Sequence, residues 1–555
     1  MSETILVAVA WPYANGPIHH GQLGGAYLPA DIFARYHRLC GNRVAMVSGS
    51  DAHGTPITVR AEQEGRTPAE VLAEFHASFL ETWEGMGIQF DLFTSTDTEN
   101  HFKVSQDLFK RLLENDYLYA AKQTLLYDPQ DKRFLPDRYV TGTCPHCDYD
   151  AARGDQCDNC GRQLDATDLI DPKSKTSGAT PELRESEHFF IKLTALAKPL
   201  EEWLASGKEH WRPHVLNFTQ GMLREGLKDR SITRDLNWGI PVPVDGWDNK
   251  RIYVWFEAVI GYLSATIEWA EQQGEPDSWK DFWESAESRS YYFIGKDNVP
   301  FHSVIWPAIL LGAGGLNLPY DIPANQFITM SGSKASTSQN WAVWIPDYLT
   351  RYDPDPLRYT LAAQMPETGD SDFSWGEFLR RNNDELVATW GNLVNRVLTF
   401  TVKNFDGEVP EPGPLEAEDR QLLDAAHSAL DAVAASIEAV HLRQGLQQAM
   451  ALAQEANRYL DRTAPWQSIK EDRQAAGRSL YTALNVIAVL RTALAPYLPF
   501  SCAALNGYLG EERTIEEQGW QVQALQPGTA LQKPKPLFKK LEPSIVEEEE
   551  ARLGS

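Results

Sequence analysis

At 555 residues the chain is too long for one hydrophobic core, so roughly two to four domains are expected. Apolar residues make up 43% and charged residues 23%, the balance of a soluble globular protein, and no stretch approaches the roughly 20 apolar residues of a membrane helix. A formal charge of -26 argues against broad, unselective binding to a polyanion, although a local basic face can still dock RNA.

The apolar run at residues 5–11 lacks the basic flank of a secretory signal and reads as a buried first strand. A turn follows at residues 12–17, and residues 23–39 place apolar side chains three and four apart, as on one helix face. Residues 43–49 read as a second strand that runs into Ser50-Asp51-Ala52-His53-Gly54. Strand, glycine-bearing turn, helix and strand make a parallel α/β unit. Its ligands would sit beyond the carboxyl ends of the strands, where the 12–22 and 50–54 loops belong. Thr67-Pro68 opens another helix, through Trp83.

Residues 117–230 change to short β-like runs rich in Asp, Gly and Pro, the mark of an inserted domain. Strand candidates return at residues 251–256 and 290–295. From 382 to 498 the spacing is helical, notably over 417–437 and 442–460, which predicts a separate bundle set off by the Gly/Pro-rich run at 407–413. Beyond 510, the Lys-Pro-Lys-Pro at 533–536 and the acidic run at 547–550 suit a solvated tail.

Six cysteines do not make a disulfide scaffold in a chain this long, and four fall in two tight pairs, Cys144-Pro-His-Cys147 and Cys157-Asp-Asn-Cys160. Nine residues separate the pairs, so four thiolates can close one tetrahedral site. Zinc is the default metal for such a site, with rubredoxin-like iron the alternative. A closed sulfur site offers no open ligand position, which predicts a scaffolding knuckle; His146 reads as an exposed turn residue. Metal-binding thiols imply a reducing compartment, hence a cytoplasmic protein.

Pro17-Ile18-His19-His20-Gly21-Gln22 lies between a strand and a helix. Much later come Gly295-Lys296-Asp297-Asn298, His302 and Ser331-Gly332-Ser333-Lys334-Ala335-Ser336-Thr337-Ser338. Small residues around Lys334 would let backbone N–H groups and hydroxyls close over phosphates while the ammonium supplies charge. No P-loop is present, and taken alone this segment reads as readily as a solvated loop.

Together these peptides resemble the two signatures of class I aminoacyl-tRNA synthetases, most closely those of the methionine-specific members. The likeness extends over residues 4–510 through Ala10–Gly16, Ser50–Pro56, the cysteine knuckle, Asn237–Pro241, Trp255–Ala258 and Phe293–Asp297. It implies an α/β fold: a Rossmann-like parallel-sheet catalytic domain in two halves, 1–116 and 231–323, split by a zinc-knuckle insertion at 117–230. A linking region at 324–381 carries the lysine loop, an α-helical anticodon-binding bundle spans 382–510, and 511–555 is a partly solvated extension.

The resemblance further implies ATP-dependent ligation of L-methionine to tRNA(Met), initiator tRNA included, through a methionyl-adenylate, with Mg2+ accompanying ATP. It assigns His19, Gln22 and Lys334 to phosphate chemistry, and Gly21, Asp297, Ser336 and Ser338 to ATP binding besides. Asp51 would hold the substrate ammonium inside a pocket of Trp11, Tyr13, Trp255, Ala258, Tyr262 and His302. Asn392, Arg396 and Trp466 would read the CAU anticodon, and Cys144, Cys147, Cys157 and Cys160 would hold zinc. Gln22 departs from the second signature histidine, Ala335 from a larger apolar residue, and Gln339 from a frequent arginine. Gln22 cannot become cationic, so a tRNA-binding paralogue without activation remains an alternative, as does a synthetase for valine, isoleucine, leucine or cysteine. A monomer is expected.

Overall fold

The computed structural model describes residues 2–554 apart from 137, 138, 155, 156, 158, 161, 163 and 334–339. Its central sheet has five parallel strands, in spatial order Ala324–Asn325, Arg289–Gly295, Thr4–Val9, Arg43–Ser50 and Leu92–Ser95. The first strand of the chain lies in the middle, and later strands are added on either side of it. This doubly wound order creates a crevice where the direction of winding reverses.

Side-chain alternation assigns the two faces of the sheet. Ile5, Val7 and Val9 join Phe33 and Tyr36 of the Leu28–Leu39 helix in one core. Leu6 and Ala8 point the other way, to Leu108 and Phe109 of Glu99–Glu114 and to Val259 and Ile260 of Val254–Gln272. Burial on both faces explains why these strands read as continuous apolar runs.

Residues 251–256, expected as a strand, supply only Arg251–Ile252 before the Val254–Gln272 helix begins. A helix enclosed on nearly all sides carries the same apolar, β-branched and aromatic residues as a buried strand, so the short run misled.

The insertion contains an antiparallel sheet built on the long pair Leu118–Asp128 and Glu182–Ile191. A smaller sheet of Ala152–Arg153, Val140–Thr143 and Ile170–Ser174 surrounds the cysteines, with its own small core. The helices Asn392–Asn404, Ala417–Glu438, Leu442–Thr463 and Arg473–Leu494 form the bundle. Its interior is continuous with the core on the Leu28–Leu39 side of the sheet.

The C-terminal stretch exposes Lys533, Lys535 and Lys540, but Leu525, Leu531, Phe538 and Ile545 are buried. It folds back toward the catalytic half, where Glu549 is buried against Arg351 (2.8 Å) and Tyr352 (2.9 Å). A charge-based reading saw the exposed side chains and missed the spaced apolar anchors. No described helix is long and apolar enough to cross a membrane.

Candidate active site

The chain leaves the adjacent strands Thr4–Val9 and Arg289–Gly295 at the point where the sheet's winding reverses. A cavity of about 360 Å³ opens there. It is lined by Trp11, Tyr13, His19, Gly21, Gln22, Asp51, Trp255, Ala258, Tyr262, Asp297 and His302. These are all of the substrate-site residues expected from sequence that the structure describes. Lys334, Ser336 and Ser338 lie outside the described residues.

One end of the cavity is aromatic. Trp255 stacks on Phe301 with ring centroids 4.2 Å apart and meets Tyr13 edge-on at 6.0 Å. Trp11 packs so closely on the backbone that a Cβ at Gly49 or Gly261 would lie 2.2 or 2.6 Å from its ring, so both positions demand glycine. The Tyr262 hydroxyl donates to His302 Nε2 at 2.7 Å, while His302 Nδ1 donates to the Asn298 carbonyl at 2.9 Å. Burial lowers the His302 pKa to about 4, so this imidazole is neutral.

At the other end, His19 caps the short helix His20–Gln22. Its Nδ1 accepts the Gly21 N–H at 3.1 Å, and Gln22 Oε1 accepts the His19 backbone N–H at 3.1 Å. Gln22 is therefore engaged through its oxygen as half of a capping box. The Gly21 bond places the His19 proton on Nε2. Desolvation, with His20 beside it, lowers the His19 pKa to about 3, giving a neutral hydrogen-bond donor at the cavity wall.

His20 points the opposite way and is fully buried. Its backbone N–H donates to the Val343 carbonyl (2.9 Å) and its Nδ1 accepts the Val343 N–H (3.2 Å). The Ile345 N–H reaches the Ile18 carbonyl at 2.9 Å. The first signature is thus stitched to the chain just after the lysine loop, where Trp341 Nε1 also donates to the carbonyl of Met330, which precedes the loop, at 3.0 Å. Lys296 pairs with Asp370 at 2.6 Å.

Asp51 follows strand Arg43–Ser50 and is 2% exposed. Burial and the nearby Glu257 push its pKa well up, and His53 pulls it partly back. Glu257 is wholly buried between His53 (2.8 Å) and His101 (2.6 Å). Sequence reasoning gave none of these three a role. The available signal was one acid in the apolar run Val254–Leu263, which a buried helix tolerates only when the acid is paired.

In the knuckle, the four cysteine sulfurs lie within 4.8 Å of one another, with Cys147 and Cys157 at 3.6 Å and Cys144 and Cys160 at 3.9 Å. Tetrahedral zinc with Zn–S bonds of ~2.3 Å needs sulfurs about 3.8 Å apart, so the set fits. His146 turns its ring to Arg162 at 3.2 Å instead of joining the sulfurs. On the bundle, the Arg396 guanidinium lies 4.5 Å from the centroid of the Trp466 ring. Asn392 is exposed one turn away on the same helix.

Residues 5–398 match the family of tRNA synthetases class I (M), and residues 409–555 match the anticodon binding domain of methionyl tRNA ligase. The first match, on a chain with a doubly wound sheet, a cavity at its switch point and a helical bundle, makes it a class I aminoacyl-tRNA synthetase. The methionine–tRNA ligase of Roseiflexus castenholzii is 52% identical, with 100% of this chain and 99% of that protein covered. That of Dehalococcoides mccartyi strain 195 is 54% identical over 100% of both. The Mycobacterium tuberculosis methionyl-tRNA synthetase in complex with methionyl-adenylate superposes with a TM-score of 0.81 at 26% identity, covering 97% of this chain and 100% of that one. The chain belongs to the methionyl-tRNA synthetase family.

Proposed function

We infer that this chain is a methionine–tRNA ligase: it activates L-methionine with ATP and transfers the methionyl group to tRNA. The observation that carries the reading is the single cavity at the sheet's switch point, which has an aromatic chamber and a buried carboxylate at one end and a capped, histidine-bearing helix start at the other.

The amino-acid carboxylate attacks the α-phosphate, pyrophosphate leaves, and the terminal ribose hydroxyl of the tRNA then displaces AMP. Alignment of two anions and stabilisation of charge on the five-coordinate phosphorus are the main demands. Asp51 binds the α-ammonium, and Trp11, Tyr13, Trp255, Ala258, Tyr262 and His302 enclose the thioether, a polarizable group that packs well on ring edges. His19 and the Gln22 amide donate to the phosphates without carrying charge, so the cationic share falls to Lys334 and to Mg2+ entering with ATP. Gly21, Asp297, Ser336 and Ser338 complete the nucleotide site.

Cys144, Cys147, Cys157 and Cys160 hold zinc as a covalent staple for a knuckle whose own core is small. Asn392, Arg396 and Trp466 read the anticodon, the indole and guanidinium offering stacking planes to unpaired bases. The protein works as a cytosolic monomer, which gel filtration with light scattering tests.

Methionine-dependent ATP–pyrophosphate exchange tests the central reading. Exchange with methionine that is lost in Lys334→Ala supports it. No exchange with any amino acid, from a folded protein that binds tRNA, overturns it in favour of the non-catalytic paralogue.

A further inference from the structure

Glu257 stands in the first turn of Val254–Gln272 as the one charged residue among that helix's buried side chains, and none of its surface is exposed. Burying a carboxylate is costly unless it is paired, and here both oxygens are used. Oε1 meets His53 Nδ1 at 2.8 Å and Oε2 meets His101 Nε2 at 2.6 Å. His101 is fixed from behind: its Nδ1 faces Ser264 Oγ at 2.8 Å, and that hydroxyl donates to the Gly261 carbonyl.

His53 carries the chain of contacts onward to Asp51. Its ring lies edge-on to Trp238, its Nε2 is 3.6 Å from Asp97 Oδ1, and its backbone N–H donates to Asp51 Oδ1 at 3.2 Å. The turn between them is pinned as well: Ala52 N–H donates to Thr96 Oγ1 (2.9 Å), and Trp238 Nε1 donates to the Ala52 carbonyl (2.7 Å). Among the described residues, the His53 N–H is the one hydrogen-bond donor to the Asp51 carboxylate.

Charge follows this geometry. Burial alone would discharge His53, but Glu257, Asp97 and Asp51 outweigh it and hold its pKa at about 9. Burial also opposes the Glu257 charge, and the two imidazoles prevail and keep its pKa low. His53 is thus a buried cation already satisfied by Glu257, while burial and the Glu257 charge push the Asp51 pKa well up, so the cavity-facing Asp51 carboxylate is one that a further cation would stabilise.

We propose that His53 and Glu257, backed by His101, are positioning residues for the substrate's α-ammonium: they hold the Asp51 carboxylate toward the cavity and reserve it for the ligand. With Glu257 neutralised, the His53 charge would be left to Asp97, at 3.6 Å and partly solvated, and to Asp51, so the protein itself would compete for the carboxylate that the ammonium needs. Because Glu257, Trp255, Ala258 and Tyr262 share one helix, the same contacts fix the carboxylate relative to the aromatic chamber.

The inference rests on the ligase reading, and the test separates the two. Inhibition constants against methionine-dependent pyrophosphate exchange are measured for two fragments of the substrate: L-methioninol, which keeps the ammonium, and 4-(methylthio)butanoate, which keeps only the carboxylate. Glu257→Gln and His53→Gln are expected to weaken methioninol by about tenfold or more and to leave the butanoate within about twofold. Equal weakening of both fragments would make the network merely structural, and no change in either would also overturn the proposal. Asp97→Asn, at the more exposed end of the network, is expected to shift methioninol in the same direction by about threefold. It decides the matter if the buried variants do not fold, because an unchanged ratio of the two constants then sinks the proposal. Absence of exchange in the unaltered chain would count against the ligase reading instead.

Discussion

Arg358 and Asp31 form an ion pair at 2.7 Å in which neither side chain is exposed to solvent. Arg358 also donates to the carbonyls of Met86 (3.0 Å), Pro496 (2.9 Å) and Tyr497 (2.9 Å). Asp31 lies on the helix that continues from the first signature, whereas Pro496 and Tyr497 follow the last long bundle helix. One guanidinium therefore joins the catalytic half to the bundle. Burial favours protonated Asp31, but Arg35 and Arg358 outweigh it and hold its pKa low.

Removing Arg358 leaves Asp31 with Arg35 alone, at 2.9 Å, and frees three carbonyls, so Arg358→Ala should cost about 3 kcal/mol, the low end for a broken buried pair, read from urea or thermal unfolding. The paired replacement Arg358→Met with Asp31→Leu should recover part of that loss. A cost no larger than that of an exposed ion pair would contradict the buried-strut reading.

Asp51→Asn keeps the shape and removes the charge. A charge-assisted bond of about 1.5–3 kcal/mol corresponds to a methionine KM roughly 10- to 150-fold higher in pyrophosphate exchange, with the ATP KM nearly unchanged. A parallel rise in both constants would point to general damage.

Neither His19 nor Gln22, the residues proposed to face the phosphates, changes charge near neutrality, because the His19 pKa lies at about 3 and Gln22 does not titrate. The exchange rate should show no inflection from this helix between pH 6 and 8. Gln22→His should introduce one below pH ~6.5, because the desolvation that lowers His19 acts on its neighbour too, and should raise the rate only on that acid side.

His20 and His302 are buried with pKa values near 4, against about 6.5 for an unfolded histidine. The unfolded chain therefore binds more protons as pH falls below about 6.5. The stability present above that pH is lost progressively down to about 4, at up to ~1.4 kcal/mol per pH unit for each group. His20→Leu should flatten the acid limb of a chemical-denaturation series. An unchanged slope would mean that His20 is charged in the folded state.

Trp466→Ala should lower kcat/KM for tRNA charging by about 10- to 100-fold, the range of one lost base stack, and leave pyrophosphate exchange intact. Loss of both activities would assign the indole to packing instead.

The cavity residues were legible because each came inside a distinctive peptide, and the knuckle was legible from its spacing alone. The network behind Asp51 was not: His53, His101 and Glu257 are far apart in sequence, and their relation exists only once two helices pack on the sheet. His20 was hidden for a similar reason, since a histidine in a polar-looking peptide gives no sign that it will be buried against Val343. The strand expected at residues 251–256 failed because the five apolar and aromatic residues after Arg251 do not distinguish a buried strand from the start of a buried helix.

The pairing of Val9 with Phe293 also constrains how the protein is made. At roughly 5–20 residues per second, the ribosome releases the neighbour of the first strand about 15–60 s after the strand itself. Until then Thr4–Val9 can be paired on one edge only, by Arg43–Ser50, and the unpaired N–H and C=O groups of its other edge must be kept from foreign strands. The insertion and its four-cysteine knuckle are synthesised within that interval. A nascent chain of this kind is therefore a natural client for chaperones that shield unfinished sheets, and slow translation through the insertion should favour aggregation over folding.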